Sequence, residues 1–215
     1  MNDVGKTTVG QFIAAAFAQA SQKYADLHRS WTQASFRLAG LLAFSLMTCV
    51  QRDGWVDIVL RCMEDEFDGR DDGADMVDTH VHFQMLLSEM WIGGVYETIR
   101  LLAGRKLAPD SDDFRTLAHD LRLLRIPLEK HEIAGDRQLT EPLKFVAHPP
   151  NKNSAKVYEY DKADPRRVHV MPRGFSGRGS ATWMVLDITT ATPSERWIER
   201  RELSDRFLAL WPPVT

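Results

Sequence analysis

The sequence has few cysteines, no long apolar run and no strong excess of charge. Its two cysteines, Cys49 and Cys62, lack metal-type spacing, which predicts free thiols in a reducing compartment and excludes a disulfide framework. The longest apolar run, residues 38–50, is shorter than the roughly 20 residues that a bilayer-spanning helix needs. A net charge of −3 argues against a general polyanion binder but leaves room for a local basic patch.

The amino terminus also lacks the pattern of a secretory signal, because no basic region precedes a long apolar stretch with a cleavage site. We therefore expect a cytoplasmic protein without a membrane segment. With 215 residues, of which 44% are hydrophobic, the chain is long enough for one sizeable core, or for one core with a smaller appended unit.

The first part of the chain has helical patterning. Residues 8–50 contain no proline, which predicts one long helix or two, with a break near His28–Trp31. The apolar run at 38–50 predicts a helix buried at the centre of a bundle. The tetrapeptide RDGW at 52–55 predicts a turn, after which a helix resumes at Val56.

Two further helices are predicted before residue 127. The segment 77–102 is largely apolar, and Gly93 and Gly94 would let another helix approach closely. Ser111 or Asp112 is a candidate N-cap for the next helix. That helix has apolar residues at three- and four-residue spacing, namely Phe114, Leu117, Ala118, Leu121 and Leu124.

The character of the sequence changes after residue 139. Residues 140–156 form a proline- and asparagine-rich connector, and the segments VYEYDK, RVHVMPR and ATWMVLDITT predict short strands. Residues 192–195, TPSE, match a capping box and predict a final helix that ends near Trp211. Residues 151–215 carry 11 basic and 8 acidic side chains, so this part of the chain is basic.

These patterns predict a mainly α fold, a helical bundle with a small C-terminal α+β element. We expect residues 1–139 to form the bundle and residues 140–215 to form a connector and a small basic α+β appendage. Trp197 and Trp211 give that appendage the apolar area to pack on the bundle.

Two segments suggest metal binding and have simpler explanations. EDEFDGRDDGAD at 64–75 has acids at several positions of a calcium loop, but a solvated acidic loop explains it as well, and whether it binds a cation stays open. His80 and His82 form an H-x-H pair, but on a helix they point about 200° apart and cannot share one metal ion. We therefore expect no metal and no cofactor.

The remaining motif runs from Arg125 to His131. Pro127 disfavours the helical conformation of the residue before it, and it predicts a short new helix over 127–134 that Gly135 closes. Residues six apart on an unbroken helix lie about 120° round from each other, whereas a break would let Arg125 fold back toward His131. The alternative is a surface arginine and a helix-terminal histidine.

An arginine four to six residues before a histidine, late in a helical bundle, resembles the ribonuclease motif of the HEPN superfamily. The resemblance covers at most residues 76–136, and Ile126 stands where the family commonly has a polar residue. It implies a metal-independent endoribonuclease of a bacterial defence or toxin–antitoxin system, usually a dimer whose two motifs meet in a cleft. Under this resemblance His131 is the general acid or base, and Arg125 holds the phosphate.

Glu97 and Arg100, one turn apart in YETIR, are candidates for supporting that site. The alternative for this pair is a helix-surface ion pair worth a few tenths of a kcal/mol.

A basic, glycine-rich segment at 166–183 provides a second candidate surface. Arginines beside glycines and Phe175 suit phosphate contact and base stacking. The candidate nucleic-acid contacts are Arg166, Arg167, Arg173 and Arg178. The alternative is a basic hairpin whose arginines pair with acids of the bundle.

Two hypotheses for function remain from the sequence. One is a ribonuclease or a nucleotide- or RNA-binding protein, with RNA or a nucleotide as ligand and with a homodimer or a regulatory protein as partner. The other is a non-catalytic helical protein with a structural role or a role in protein interaction, which needs no special chemistry in residues 123–136.

Overall fold

The computed structural model describes residues 8–67, 79–147, 156–190 and 192–212. Helices come first and strands follow, which confirms a mainly α fold with a small C-terminal α+β element. The helices of the described residues are α1 (Val9–Lys23), α2 (Ala25–Leu41), α3 (Leu46–Phe67), α4 (Thr79–Gly104), α5 (Asp112–Lys130) and α6 (Arg200–Ala209). The strands are β1 (Leu143–Ala147), β2 (Lys156–Tyr160), β3 (Arg173–Phe175), β4 (Ala181–Asp187) and β5 (Ser194–Glu199), and a short 3₁₀ helix covers Asp136–Gln138.

Side-chain caps begin α1 and α5. Thr8 and Gln11 form a capping box, in which the Thr8 hydroxyl accepts from the Gln11 backbone N–H and the Gln11 side chain accepts in return. Ser111 caps α5, as predicted, by accepting from the Phe114 backbone N–H at 3.2 Å. The predicted apolar face of α5 is largely buried, with Phe114, Leu117, Leu121 and Leu124 at 4% exposure or less.

The first two helices are divided at a different point from the predicted one. The break lies at Tyr24, between α1 and α2, rather than near His28–Trp31. The run at 38–50 is not one buried helix, because α2 ends at Leu41 and Phe44 in the following turn is 75% exposed. An apolar run without periodicity does not show which of its residues the rest of the chain covers, so the prediction was wrong here.

The predicted turn at 52–55 is wrong, because these residues lie inside α3. Gly54 serves helix packing instead: a Cβ added at Gly54 would lie 2.7 Å from the Cβ of Trp31 in α2. A glycine inside a helix costs about 1 kcal/mol relative to alanine, and here it allows the close approach of α2 to α3.

Helix α5 continues through Pro127 to Lys130, so the predicted break and the predicted new helix over 127–134 are wrong. Proline removes one backbone hydrogen bond from the helix, but Pro127 is buried together with the apolar face of α5. This burial stabilises the helical path despite the lost hydrogen bond.

The strands form two antiparallel sheets. β1 pairs with β2, and β4 is the central strand between β3 and β5. Strands in VYEYDK and ATWMVLDITT are confirmed, whereas RVHVMPR contributes only its last residue to a strand. The predicted capping box at 192–195 is wrong, because Ser194–Glu199 is β5 and α6 begins at Arg200. Pairing with β4 satisfies the backbone groups of this segment and outweighs its local preference for a helix start.

One apolar core joins the helices to the three-stranded sheet. Trp31 of α2 stacks on Phe207 of α6 with ring centroids 5.1 Å apart. Trp91 of α4 meets Trp31 edge to face at 6.4 Å, and Trp183 of β4 belongs to the same cluster. The C-terminal strands and α6 therefore pack into the core of the helices.

A largely buried group of charges, which we call the Arg200 network, links α3 to α6, with the Asp205 side chain at its exposed edge. It consists of Asp57, Arg61 and Glu64 of α3 with Arg200 and Asp205 of α6. Arg200 is fully buried and donates to the carboxylates of Asp57 and Glu64, to the latter at 2.5 Å. Arg61 donates to Asp57 at 3.3 Å and to Asp205 at 2.5 Å.

Asp57 is ionised at the centre of this network. Burial alone would raise its pKa, but the Arg200 and Arg61 cations and the Trp31 indole N–H, at 2.9 Å, hold the pKa below its ordinary value. Because the folded-state pKa is lowered, the ionised carboxylate stabilises the fold above about pH 4, and this contribution is lost as the pH falls further.

Within the described ranges, no helix is long and apolar enough to cross a bilayer. Most of the acidic segment 64–75, for which cation binding was left open, lies outside the described residues.

We predict that Arg200→Met strongly destabilises the protein, because it leaves Asp57 and Glu64 buried without their cation. Breaking a buried ion pair in this way typically costs about 3–5 kcal/mol, which urea unfolding followed by circular dichroism will measure. Arg115→Met is the control, because Arg115 pairs with Asp110 and Asp112 on the surface, where the expected cost is about 1 kcal/mol or less. Equal losses in the two variants would contradict a structural role for the network.

Candidate functional site

A cleft between α3, α4 and α5 combines charged side chains with apolar walls, and we call it the α3–α4–α5 cleft. Its volume is about 540 Å³, within the usual range for pockets that bind small molecules. The apolar part of its lining includes Leu46, Val56, Met90, Trp91 and Leu101. The polar part includes Arg52, Asp53, Glu97, Thr98, Arg125 and Glu129.

Two adjacent glycines of α4 shape the cleft, as the sequence suggested. A Cβ added at Gly94 would lie 2.5 Å from the nearer carboxylate oxygen of Asp53, so only glycine permits this contact. A Cβ at Gly93 would lie 3.6 Å from a Glu129 carboxylate oxygen and 4.0 Å from Arg125 Nε. The glycine pair therefore brings the charged groups of α3 and α5 close to the α4 backbone.

Asp53 is a buried acid that titrates near neutral pH. It is 3% exposed, and burial raises its pKa to about 6 although Arg52 counteracts the shift. Arg52 contacts one carboxylate oxygen of Asp53 through Nη2 at 2.8 Å and Nε at 3.1 Å. A carboxyl group with such a pKa can exchange a proton at physiological pH, which is a common property of functional sites.

Arg125 projects into the same cleft and is incompletely paired. Its Nη1 lies 2.6 Å from a carboxylate oxygen of Glu129, and its guanidinium lies over the Tyr96 ring, 5.9 Å from the centroid. Its Nε is buried and has no hydrogen-bond partner among the described residues. Trp91, which also lines the cleft and is 1% exposed, has an indole N–H without a partner as well. Such buried donors are uncommon, because leaving one without an acceptor costs about 1–3 kcal/mol.

His131 lies apart from this cleft. It is exposed and ends α5 in a left-handed conformation with φ of 55°, and its carbonyl accepts from the His169 backbone N–H at 2.7 Å. Because α5 is continuous through Pro127 and ends at Lys130, the fold-back that would bring Arg125 to His131 is absent from the described helix.

Glu97 and Arg100 pair with each other at 2.7 Å across one turn of α4. Glu97 lines the α3–α4–α5 cleft, whereas Arg100 is 56% exposed and is not part of its lining. Of the site residues predicted from the sequence, Glu97 and Arg125 therefore line the cleft.

The four predicted nucleic-acid contacts all have acidic partners. Arg167 contacts Glu132 at 2.6 Å and Asp136 at 3.2 Å, and Arg166 lies 3.4 Å from Asp164. Arg173 donates to Glu89 of α4 at 2.9 Å. Arg178 makes two contacts to Glu199, the shorter at 2.7 Å. Arg167 and Arg173 thus pair with acids of residues 1–139, as the alternative predicts, whereas Arg166 and Arg178 pair with acids of the C-terminal part itself.

Asp53 was missed by the sequence analysis because RDGW was interpreted as a turn. No group of three or more histidine, cysteine or acidic side chains that could hold a metal ion occurs in the described part of the chain.

Comparisons of the chain with protein-family models, with curated proteins and with solved structures found no match.

We predict that Asp53→Asn stabilises the protein at pH 7.5 more than at pH 4.5. The raised pKa means that the wild-type fold is favoured below about pH 4 and loses stability as the pH rises through about 6. A shift from the ordinary value to about 6 corresponds to a total change on the order of 3 kcal/mol, of which about 2 kcal/mol falls between pH 4.5 and pH 7.5.

Urea unfolding of both proteins at the two pH values will measure this difference. Asp110→Asn is the control, because the Asp110 side chain is 99% exposed. If the difference in unfolding free energy between Asp53→Asn and wild type is the same at both pH values, the pKa of Asp53 is not raised.

Proposed function

We propose that the protein binds a small organic molecule with a carboxylate or phosphate group in the α3–α4–α5 cleft. The observation that carries the proposal is the unpaired Arg125 Nε–H, a buried charged donor at a cleft with room for a ligand. An oxyanion is the acceptor that best satisfies a guanidinium, because it accepts through two oxygens and offsets the charge.

The apolar lining supports an organic ligand over a free inorganic ion. Leu46, Val56 and Leu101 offer aliphatic contact to the remainder of the molecule, and Trp91 adds an aromatic side chain to the lining. Small-molecule sites typically combine such walls with a few polar groups that fix orientation.

Two carboxylates, those of Glu129 and Asp53, affect the charge of the cleft. Glu129 competes with a bound anion for Arg125, and its side chain is 48% exposed, so it can turn toward solvent when a ligand enters. Asp53 loses its negative charge as the pH falls through about 6. Binding of an anion should therefore strengthen below pH 6.

The test is calorimetric titration with hexyl sulfate, an aliphatic oxyanion that keeps its charge between pH 5 and pH 8. We expect Arg125→Gln to weaken binding by roughly tenfold or more, since a charged hydrogen bond is lost. We expect Glu129→Gln to strengthen binding, because the competing carboxylate is removed. Binding of wild type should be tighter at pH 5 than at pH 7.5.

Arg115→Gln is the matched control, because Arg115 lies on the same helix and pairs with acids at its start. Loss of affinity in Arg115→Gln equal to that in Arg125→Gln would mean that the anion binds the surface non-specifically. Undetectable binding by wild type at pH 5 would refute the proposal.

The ribonuclease suggested by the HEPN resemblance is a second candidate, favoured by one observation. Arg125 shares the cleft with Asp53, whose pKa of about 6 suits proton transfer at neutral pH. In this version Asp53, rather than the distant His131, takes the proton from the ribose 2′-OH while Arg125 holds the phosphate.

We predict for this candidate that wild type cleaves a mixed-sequence RNA in EDTA and that Asp53→Asn does not. If His131→Ala still cleaves the RNA, the acid–base role belongs to Asp53. If His131→Ala no longer cleaves it, the role belongs to His131. If wild type at high concentration leaves the RNA intact, the ribonuclease candidate is wrong and the binding proposal is unaffected.

A further inference from the structure

A second cavity lies between the β1–β2 hairpin and the three-stranded sheet, and we call it the hairpin cavity. Its volume is about 500 Å³. Phe145 and Tyr158 line it from the hairpin, Met184 and Leu186 line it from β4, and His169 lines it from the segment before β3. None of these residues belongs to the α3–α4–α5 cleft.

The hairpin side of the cavity is an aromatic wall. Phe145 and Tyr158 are directly opposite in the β1–β2 register, and their rings are nearly parallel, with centroids 5.2 Å apart and planes at 14°. Tyr158 remains 49% exposed, so part of its ring is open to contact. Such a wall suits contact with another flat ring.

His169 is the polar group of the cavity. It is only 8% exposed, and its imidazole makes no hydrogen bond with the described residues. Its backbone N–H donates to the His131 carbonyl at 2.7 Å, and the centroid of its ring lies 5.8 Å from that of Phe145. Burial lowers the pKa of His169, so the ring is neutral at pH 7 and offers one donor and one acceptor.

Two charged residues, Lys144 of β1 and Glu195 of β5, are also among the lining residues, and neither forms an ion pair with another described residue. Because side chains alternate along a strand, the Lys144 side chain lies on the face of the hairpin opposite Phe145.

We propose that the hairpin cavity binds the heteroaromatic base of a nucleoside or nucleotide. A base is flat, presents donors and acceptors along its edge, and so fits both the aromatic wall and the neutral imidazole of His169. A purely apolar ligand would leave the buried imidazole without a partner, which makes it a poorer fit. The site is separate from the oxyanion cleft and does not depend on the function proposed for it.

The test uses adenosine, which has no oxyanion, and calorimetric titration of the full chain. Tyr158→Ala removes half of the aromatic wall at an exposed position, and His169→Phe keeps the ring shape while removing the hydrogen bonds. We expect each variant to weaken binding about tenfold, since stacking on an aromatic side chain contributes strongly to base affinity. Circular dichroism will verify that both variants are folded.

Val157→Ala is the matched control, because Val157 is the 63% exposed neighbour of Tyr158 on β2 and points to the opposite face of the hairpin. Its affinity for adenosine should equal that of wild type. Failure of wild type to bind adenosine at millimolar concentration, or equal affinities in Tyr158→Ala, His169→Phe and wild type, would overturn the proposal.

A second arm separates nucleosides from nucleotides and this cavity from the cleft. If a phosphate is part of the ligand, adenosine monophosphate should bind at least as tightly as adenosine, whereas weaker binding of the monophosphate would assign the cavity to an uncharged nucleoside. Arg125→Gln should leave adenosine binding unchanged. Loss of adenosine binding in Arg125→Gln would place the nucleoside in the α3–α4–α5 cleft and refute the hairpin cavity as its site.

Discussion

The Arg200 guanidinium lies between two carboxylates of α3, and the position of the C-terminal elements depends on it. Arg200 is fully buried against Asp57 and Glu64, residues more than 130 positions earlier in the chain. Because a buried charge without its partner is costly, α6 cannot leave α3 without exposing or neutralising the whole network. This constraint fixes the end of the three-stranded sheet, since β5 leads directly into α6.

The same face of α3 extends from the network to the cleft. Asp53, Asp57 and Arg61 are spaced four residues apart, so they follow one stripe of the helix. The charges of Asp57 and Arg61 are balanced by their partners in the Arg200 network. Asp53 instead packs against Gly94 and has Arg52 as its ionic partner. Trp91 connects the two regions, because Arg200 lies over its ring at 5.5 Å and it also lines the cleft. The Arg200 network and the cleft therefore share Trp91 and one stripe of α3.

The sequence predicted the fold class because long apolar periodicity, caps and β-branched segments are local signals. Local patterns did not predict the structure where contacts between distant parts of the chain determine it. Gly54 lies inside a helix that packs against Trp31, and Ser194–Glu199 is a strand that pairs with β4. Of the residues predicted for the site, Arg125 and Glu97 lie together in the cleft, and His131 does not. Asp53 was not predicted once RDGW was taken as a turn, although the four-residue spacing of Asp53, Asp57 and Arg61 along the chain was a usable signal.

The proposed binding site depends on the Arg125 Nε–H, a buried donor of the α3–α4–α5 cleft that has no acceptor among the described residues. The most direct measurement follows the Arg125 Nε–H cross-peak in nuclear magnetic resonance spectra while hexyl sulfate is added at pH 5. We expect a saturable downfield shift of this peak, as for a new hydrogen bond to an oxyanion, while the Arg115 peak stays in place. An unchanged Arg125 peak at ligand concentrations that saturate the protein would mean that Arg125 does not bind the oxyanion.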